Sequence, residues 1–322
     1  MRIRTMITLV KIESSLFPNL YESFLIDDDP LSDEQDWRNV FDYQFDNEQG
    51  HCGYAMLEDG KVIGMLGMVF SERYIDGTIK KFCNLHTWWV REDRRGRSLS
   101  LLRPVLRLDG YTITHFTPCD TVRAVTRQLG FKALNSQLKI LLPFGAGNKR
   151  GSHESSVTYD EQAIEASLGE HDRKIMLDHR PYGVGHLLIR DGDESCYLLY
   201  THVVRHRLPY CHIHYISDKT VFSKNERMIR ASLLRTHAAR FVAVDARLVQ
   251  DIRFPLSFNF WAPAHALYKS SDVTPDQIDN LYSDVVFLKL TVLPNMSHEI
   301  GQISRRCLDA LSWRNSGRRL PT

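Results

Sequence analysis

The stretch Leu85 to Leu102, LHTWWVREDRRGRSLSLL, constrains this chain more than any other. An apolar, aromatic run suited to a buried strand ends at Val90, and a short basic turn leads into Leu99-Ser100-Leu101-Leu102, the opening turns of a helix. The turn Arg95-Gly96-Arg97-Ser98-Leu99-Ser100 sets small residues and two guanidinium groups at a helix start. Such an end carries free backbone N–H groups and the positive pole of the helix dipole, which suits a phosphate. Small side chains let the phosphate approach the backbone. The segment therefore points to a ligand of the nucleotide kind, and the strand before it marks where chemistry would take place.

The turn contains neither GxxxxGK[ST] nor GxGxxG. The elements around it narrow the choice. Met6 to Lys11 reads as a strand, and Leu16 to Leu25 and Glu34 to Phe45 read as helices, the second opening after Ser32-Asp33. Gly53 to Glu58 and Lys61 to Phe70 are strands joined by Asp59-Gly60, a strong hairpin signal. Phe82 to Val90 is a strand, Leu99 to Leu106 a helix, and Tyr111 to Phe116 a strand ending at Thr117-Pro118. Thr121 to Leu129 is a helix closed by Gly130, and Phe131 to Leu134 and Leu138 to Leu142 are the last strands.

This order, β-α-α-β-β-β-α-β-α-β-β, resembles that of the GCN5-related N-acetyltransferase superfamily over about residues 1 to 143. The turn resembles that family's pyrophosphate loop, R/Q-x-x-G-x-G/A, with Arg95 in first place, Gly96 and Arg97 in the free places, and Ser98 and Ser100 where the family has small residues, usually glycine. Gln128-Leu129-Gly130-Phe131 resembles its second motif, and Thr126 stands where the family often has Tyr. The resemblance implies a mixed, mostly antiparallel α/β sheet flanked by helices. It also implies acetyl-CoA or another acyl-CoA as co-substrate and a primary amine of a small molecule or amino sugar as acceptor.

Composition agrees with an enzyme of this kind. At 322 residues, two domains are the natural expectation. Forty-one basic residues against thirty-nine acidic ones leave almost no net field, which argues against nucleic acid as a partner. No apolar stretch approaches eighteen residues and the first fifteen have no continuous apolar core, so no membrane partner, no secretory peptide and a cytoplasmic location are expected. Six scattered cysteines without a CxxC pair read as reduced thiols. His202, His206, His212 and His214 lack a recognised zinc spacing, so no metal is expected.

Residues 144 to 156 (FGAGNKRGSHESS) read as a linker, and the pattern then repeats over 157 to 322. Asp160 to Leu177 is helical. Gly185 to Arg190 and Ser195 to Val204 form a hairpin. Tyr210 to Ile216 is a strand, Asn225 to His237 a helix and Phe241 to Asp245 a strand. The expectation is a tandem, degenerate second copy of the first fold. Ser217 to Phe222, its loop after the third strand, has no glycine, so this copy would bind no acyl-CoA and would instead shape the pocket or a homodimer interface.

In the resembling fold, the strand before the loop and the strand after its helix splay apart, and the pantetheine arm enters between them. Trp88, Trp89 and Val90 would supply the backbone groups that bind the arm and polarise the thioester carbonyl. His86, two residues before Trp88 and sharing its face with Asn84, is the first candidate base. His115, near the end of the partner strand, is the second. A strand histidine is more often a hydrogen-bonded core residue, and that reading stands beside each. Trp88 and Trp89 alternate, so only one would face the pocket. For the acid, Thr126 stands in the family's Tyr position but its hydroxyl is too weakly acidic to take over that work, Tyr111 is a weak substitute, and water could also protonate the thiolate. Asp27-Asp28-Asp29 would face a cationic amine or form a solvated turn. Two other readings remain open: a binding module that has lost catalysis, and a transferase using an acyl carrier protein or aminoacyl-tRNA. Arg91, Arg94, Arg95, Arg97 and Arg103 would form the basic patch a carrier protein needs.

Overall fold

The computed structural model describes residues 6–29, 32–45, 47–143, 155–204 and 208–291. The first half runs β1 (Ile7–Lys11), α1 (Phe17–Leu20), α2 (Ile26–Asp28), α3 (Glu34–Phe41), β2 (Gly53–Glu58), β3 (Lys61–Ile75), β4 (Thr78–Val90), α4 (Leu99–Val105), β5 (Tyr111–His115), α5 (Asp120–Gln128), β6 (Lys132–Ala133) and β7 (Gln137–Leu141). The second runs β8 (Ser155–Thr158), α6 (Glu161–Ser167), α7 (Glu170–His179), β9 (Gly185–Asp191), β10 (Glu194–Val203), β11 (Tyr210–Ile216), α8 (Lys219–Thr236), β12 (Val242–Asp245), β13 (Ser257–Trp261), β14 (Leu267–Lys269) and α9 (Asp284–Phe287).

Local chemistry accounts for most boundaries. Asp33 caps α3 by accepting from the Asp36 N–H, and the Asp36 carboxylate accepts from the Asp33 N–H in return. Asp59 and Gly60 both have positive φ, 52° and 78°, which a two-residue hairpin turn of matching twist requires. Asp76-Gly77 repeats the device at 48° and 78° and carries β3 and β4 well past the strands read from sequence.

The two sheets have the same plan. One is ordered β1-β2-β3-β4-β5-β14-β6 and the other β8-β9-β10-β11-β12-β7-β13, the second written here from its β8 edge. In both, the fourth and fifth strands pair in parallel. Each sheet then takes its sixth strand from the other half: β14 pairs with β5 and β6, and β7 pairs with β12 and β13. The duplication expected from sequence is present, but the boundary at residue 143 does not separate the sheets. Residues 144–154 of the expected linker lie outside the described residues, and its last two, Ser155 and Ser156, begin β8.

The halves also share a core. Phe17, Trp37, Phe41 and Phe45 from one half pack in a single buried cluster with Ile164, Tyr182, Tyr197 and Phe287 from the other. A further apolar cluster lies against each sheet, around Leu198 and Phe222 on one and Leu66 and Leu102 on the other, and each takes in a residue of the exchanged strand, Leu141 and Leu267 respectively. No described helix is long and apolar enough to cross a membrane.

Candidate active site

The chemistry-bearing part of the first half is a fault in β4. Gly67 of β3 faces His86 and Met65 faces Trp89, so Thr87 and Trp88 together oppose the single residue Leu66. This is a β-bulge. Thr87 has φ of 44°, a left-handed conformation that costs a β-branched residue on the order of 1–3 kcal/mol. On its other edge, β4 pairs with β5 from Lys81/Tyr111 to Asn84/Thr114 and no further. Beyond that point the strands part, and a cavity of about 410 Å³ opens between them.

Thr87, Trp88 and Trp89 line one wall of this cavity. The bulge thus corrects the expectation that only one tryptophan would face it, because strict alternation fails where a residue is inserted. Trp89 also stacks on Phe24, with ring centroids 4.6 Å apart. Val90 is buried against Met56 and Leu101 and is not part of the wall.

The same bulge removes His86 from the cavity. Its ring lies over Gly67, where an added Cβ would come within 2.1 Å of it, and meets the Phe41 ring edge-on at 4.9 Å. Burial, reinforced by the neighbouring His115, lowers its pKa to about 3. His86 is placed as a core residue, and the shared face with Trp88 is not found.

His115 is brought to the cavity. It is 3% exposed, lines the floor, and its Nδ1 is buried without a hydrogen-bond partner. Burial lowers its pKa to about 4, so it is neutral at pH 7. Thr126 is not brought there: it is wholly buried, and its hydroxyl donates to the Val122 carbonyl at 2.8 Å, one turn back in α5. Tyr111 lies at the opposite end of β5, donating to Glu48.

Sequence reasoning missed Asp284, which the second half sends into the first-half cavity. Its carboxylate accepts from Asn84 Nδ2 at 3.1 Å and Thr117 Oγ1 at 2.5 Å, while Asn84 Oδ1 accepts from Thr114. At 2% exposure, burial raises its pKa, and the Thr117 and Asn84 hydrogen bonds oppose the rise. The available signal was one acid immediately before the apolar run Val285-Val286-Phe287-Leu288, where a buried carboxylate must find donors. Asp28 and Asp29 stand at the cavity mouth rather than in a remote turn.

The basic turn is wound more tightly than a phosphate cradle. Glu92–Arg97 is a 3-10 helix continuous with α4, and the Ser98 N–H is bonded to the Arg95 carbonyl. Arg91 and Arg94 both hold Glu58 and Asp93, which removes them from any basic patch. Arg95, Gly96 and Arg97 are exposed, and among the described residues Arg95 pairs only with Glu92, at 3.9 Å. None of Arg95, Gly96, Arg97, Ser98, Leu99 and Ser100 lines the cavity.

No protein-family profile and no curated protein matches the sequence. Solved structures do match the fold. A GCN5-related N-acetyltransferase from Anabaena variabilis is 11% identical, with 82% of this chain and 72% of that one covered and a TM-score of 0.54. One from Kribbella flavida is 14% identical over 83% and 71%, with a TM-score of 0.53. An Enterococcus faecalis protein described as a probable N-acyltransferase is 9% identical over 82% and 72%, with a TM-score of 0.56. The chain has the GCN5-related N-acetyltransferase fold, present in two tandem copies.

Proposed function

We propose that the protein is an acyl-CoA-dependent N-acyltransferase that transfers an acyl group, acetyl foremost, to a primary amine of a small molecule in the cytoplasm. One observation carries the reading: β4 and β5 part immediately beyond Asn84/Thr114, and the bulge at Thr87 lines the cavity that opens there. Past that point no described strand pairs with the β5-side edge of β4, which leaves backbone groups for a pantetheine arm. The backbone at Trp88 and Trp89 polarises the thioester carbonyl, because fixed N–H dipoles in a water-poor site stabilise developing negative charge. Arg95 and Arg97 at the outer end of β4 receive the diphosphate.

The amine must lose its proton before it attacks. Asp284 takes that proton at the cavity floor, where its raised pKa brings it nearer the working range of a general base. Asn84 and Thr117 hold the carboxylate in place. Neutral His115 faces the same space and orients the attacking nitrogen. The departing thiolate takes its proton from water. The pairing of Arg91 and Arg94 with carboxylates speaks against a carrier-protein donor. A binding module is favoured only by the closed winding of the basic turn.

Release of the CoA thiol from acetyl-CoA in the presence of an amine tests this. Asp284→Asn keeps the shape and should lower turnover about 10²–10⁴-fold with acetyl-CoA affinity unchanged. A melting curve separates this from loss of fold. Absence of acetyl-CoA binding at millimolar concentration would end the reading.

A further inference from the structure

What holds the bulge of β4 at Thr87 is visible in its neighbours. Moving it by one residue along the strand would turn a side chain of the cavity wall to the opposite face of the sheet. Across from it, β3 offers glycine on both sides: Gly67 faces His86 and Gly64 faces Val90. The His86 ring sits in the notch that Gly67 leaves, where an added Cβ would come within 2.1 Å of Cε1 and 2.5 Å of both ring nitrogens. Phe41 closes on the ring edge-on, and the imidazole is 1% exposed. Seated there, its Nδ1 lies in hydrogen-bond contact with Thr87 Oγ1, at 3.0 Å.

Thr87 is an unusual residue for its backbone. Among the described non-glycine residues with positive φ, it alone is β-branched, the side-chain type least suited to that conformation. A glycine would take the same φ at no steric cost. What threonine adds is a hydroxyl, and that hydroxyl meets His86. His86 itself does not line the cavity, whereas Thr87, Trp88 and Trp89 do. Resting on the acyltransferase reading, we propose that His86 and Gly67 are positioning residues for the thioester: the His86 ring, seated on Gly67, holds Thr87 left-handed through its hydroxyl and so fixes the bulge whose next residues, Trp88 and Trp89, present their backbone to the acyl carbonyl. Polarisation of that carbonyl requires N–H groups fixed in direction before the ligand arrives, and the lock supplies the fixing.

Infrared difference spectroscopy of bound acetyl-CoA, isotope-labelled at the acetyl carbonyl and without any amine, tests this. In the wild-type protein the carbonyl stretch should fall below its value in free acetyl-CoA. Thr87→Val keeps the branched shape and loses the hydroxyl, so it should lose most of that shift, while Thr87→Ser should keep it. His86→Phe leaves a ring on Gly67 without Nδ1. It should lose the shift as Thr87→Val does, with no further loss in the double variant, because the two residues act as one unit. Acetyl-CoA affinity by calorimetry should stay near the wild-type value throughout, and melting curves show which variants are folded. An unshifted carbonyl in the wild-type complex, a wild-type shift in Thr87→Val or in folded His86→Phe, or a loss in Thr87→Ser as large as in Thr87→Val would overturn the proposal. Failure of the wild-type protein to bind acetyl-CoA would overturn the acyltransferase reading itself.

Discussion

The two halves have the same strands in the same order, and each has a bulge in its fourth strand, yet only one opens there. In β11 the register slips at His214, the counterpart of the slip at Thr87 in β4. His214 is wholly buried and fills the place with its own hydrogen bonds, Nε2 to Thr201 Oγ1 at 2.8 Å and Nδ1 to Asn280 Oδ1 at 3.1 Å. The space beside it, lined by His212, Asp245 and Arg247, measures only about 50 Å³. The helix that follows differs as well. Asp218 caps α8 by accepting from the Thr220 and Val221 N–H groups, so a carboxylate already sits where a phosphate would go. Ser98, before α4, makes no side-chain cap. A shared backbone plan thus supplies the opportunity for a site, and side chains decide whether it is left open or filled.

The largest expected effect comes from separating the halves. A chain ending at residue 143 loses β14 from its own sheet, leaves β7 without β12, and exposes the core shared with Tyr182, Tyr197 and Phe287. It should not fold, and circular dichroism with a melting curve would show no cooperative transition. A cooperative, soluble 1–143 fragment would make the strand exchange dispensable.

Acid is the next lever. His86 and His115 in the first half and His212 and His214 in the second are buried and neutral; burial lowers the pKa to about 3 for His86, about 4 for His115 and about 3 for His212, and lowers that of His214 well below the ordinary imidazole value. The unfolded chain binds protons at these sites from about pH 6.5 downward while the folded one does not. Stability is therefore level above about pH 6.5 and falls as pH drops toward 4. Each such histidine contributes a slope of about 1.4 kcal/mol per pH unit. The second-half pair, with ring centroids 4.1 Å apart, should drive the earlier loosening, seen as hydrogen exchange in β11 rising before that in β4. A melting temperature constant from pH 7 to 5 would contradict the burial of these rings.

The smallest effect concerns the basic turn. Arg95→Ala with Arg97→Ala should weaken acyl-CoA binding roughly tenfold, the scale of one or two charge-assisted phosphate contacts. The matching change at Lys219, at the start of α8, should do nothing. Equal effects at both sites would erase the distinction between the halves.

Much of this was legible in the sequence because hairpins and strand–helix alternation are local signals. Asp59-Gly60 marked its turn, and the repeat of element order announced the second copy. Strand exchange was not legible, since the apolar alternation of Gln137–Leu141 says which face is buried but not which sheet it joins. The bulge was not legible either, because a single inserted residue leaves no mark in composition, and it reversed the placement of His86 and Trp89. Asp284 was out of reach for a different reason: 200 positions separate it from Asn84. Asp218, read as part of a loop, was a missed cap.

The central claim is that one half of a duplicated fold holds an acyl-CoA site and the other has closed it. Calorimetric stoichiometry with acetyl-CoA tests this directly. The account predicts one site per chain, weakened by Arg95→Ala with Arg97→Ala and indifferent to Lys219→Ala. Two sites per chain, or one site that responds to Lys219→Ala and ignores the arginines, would contradict it.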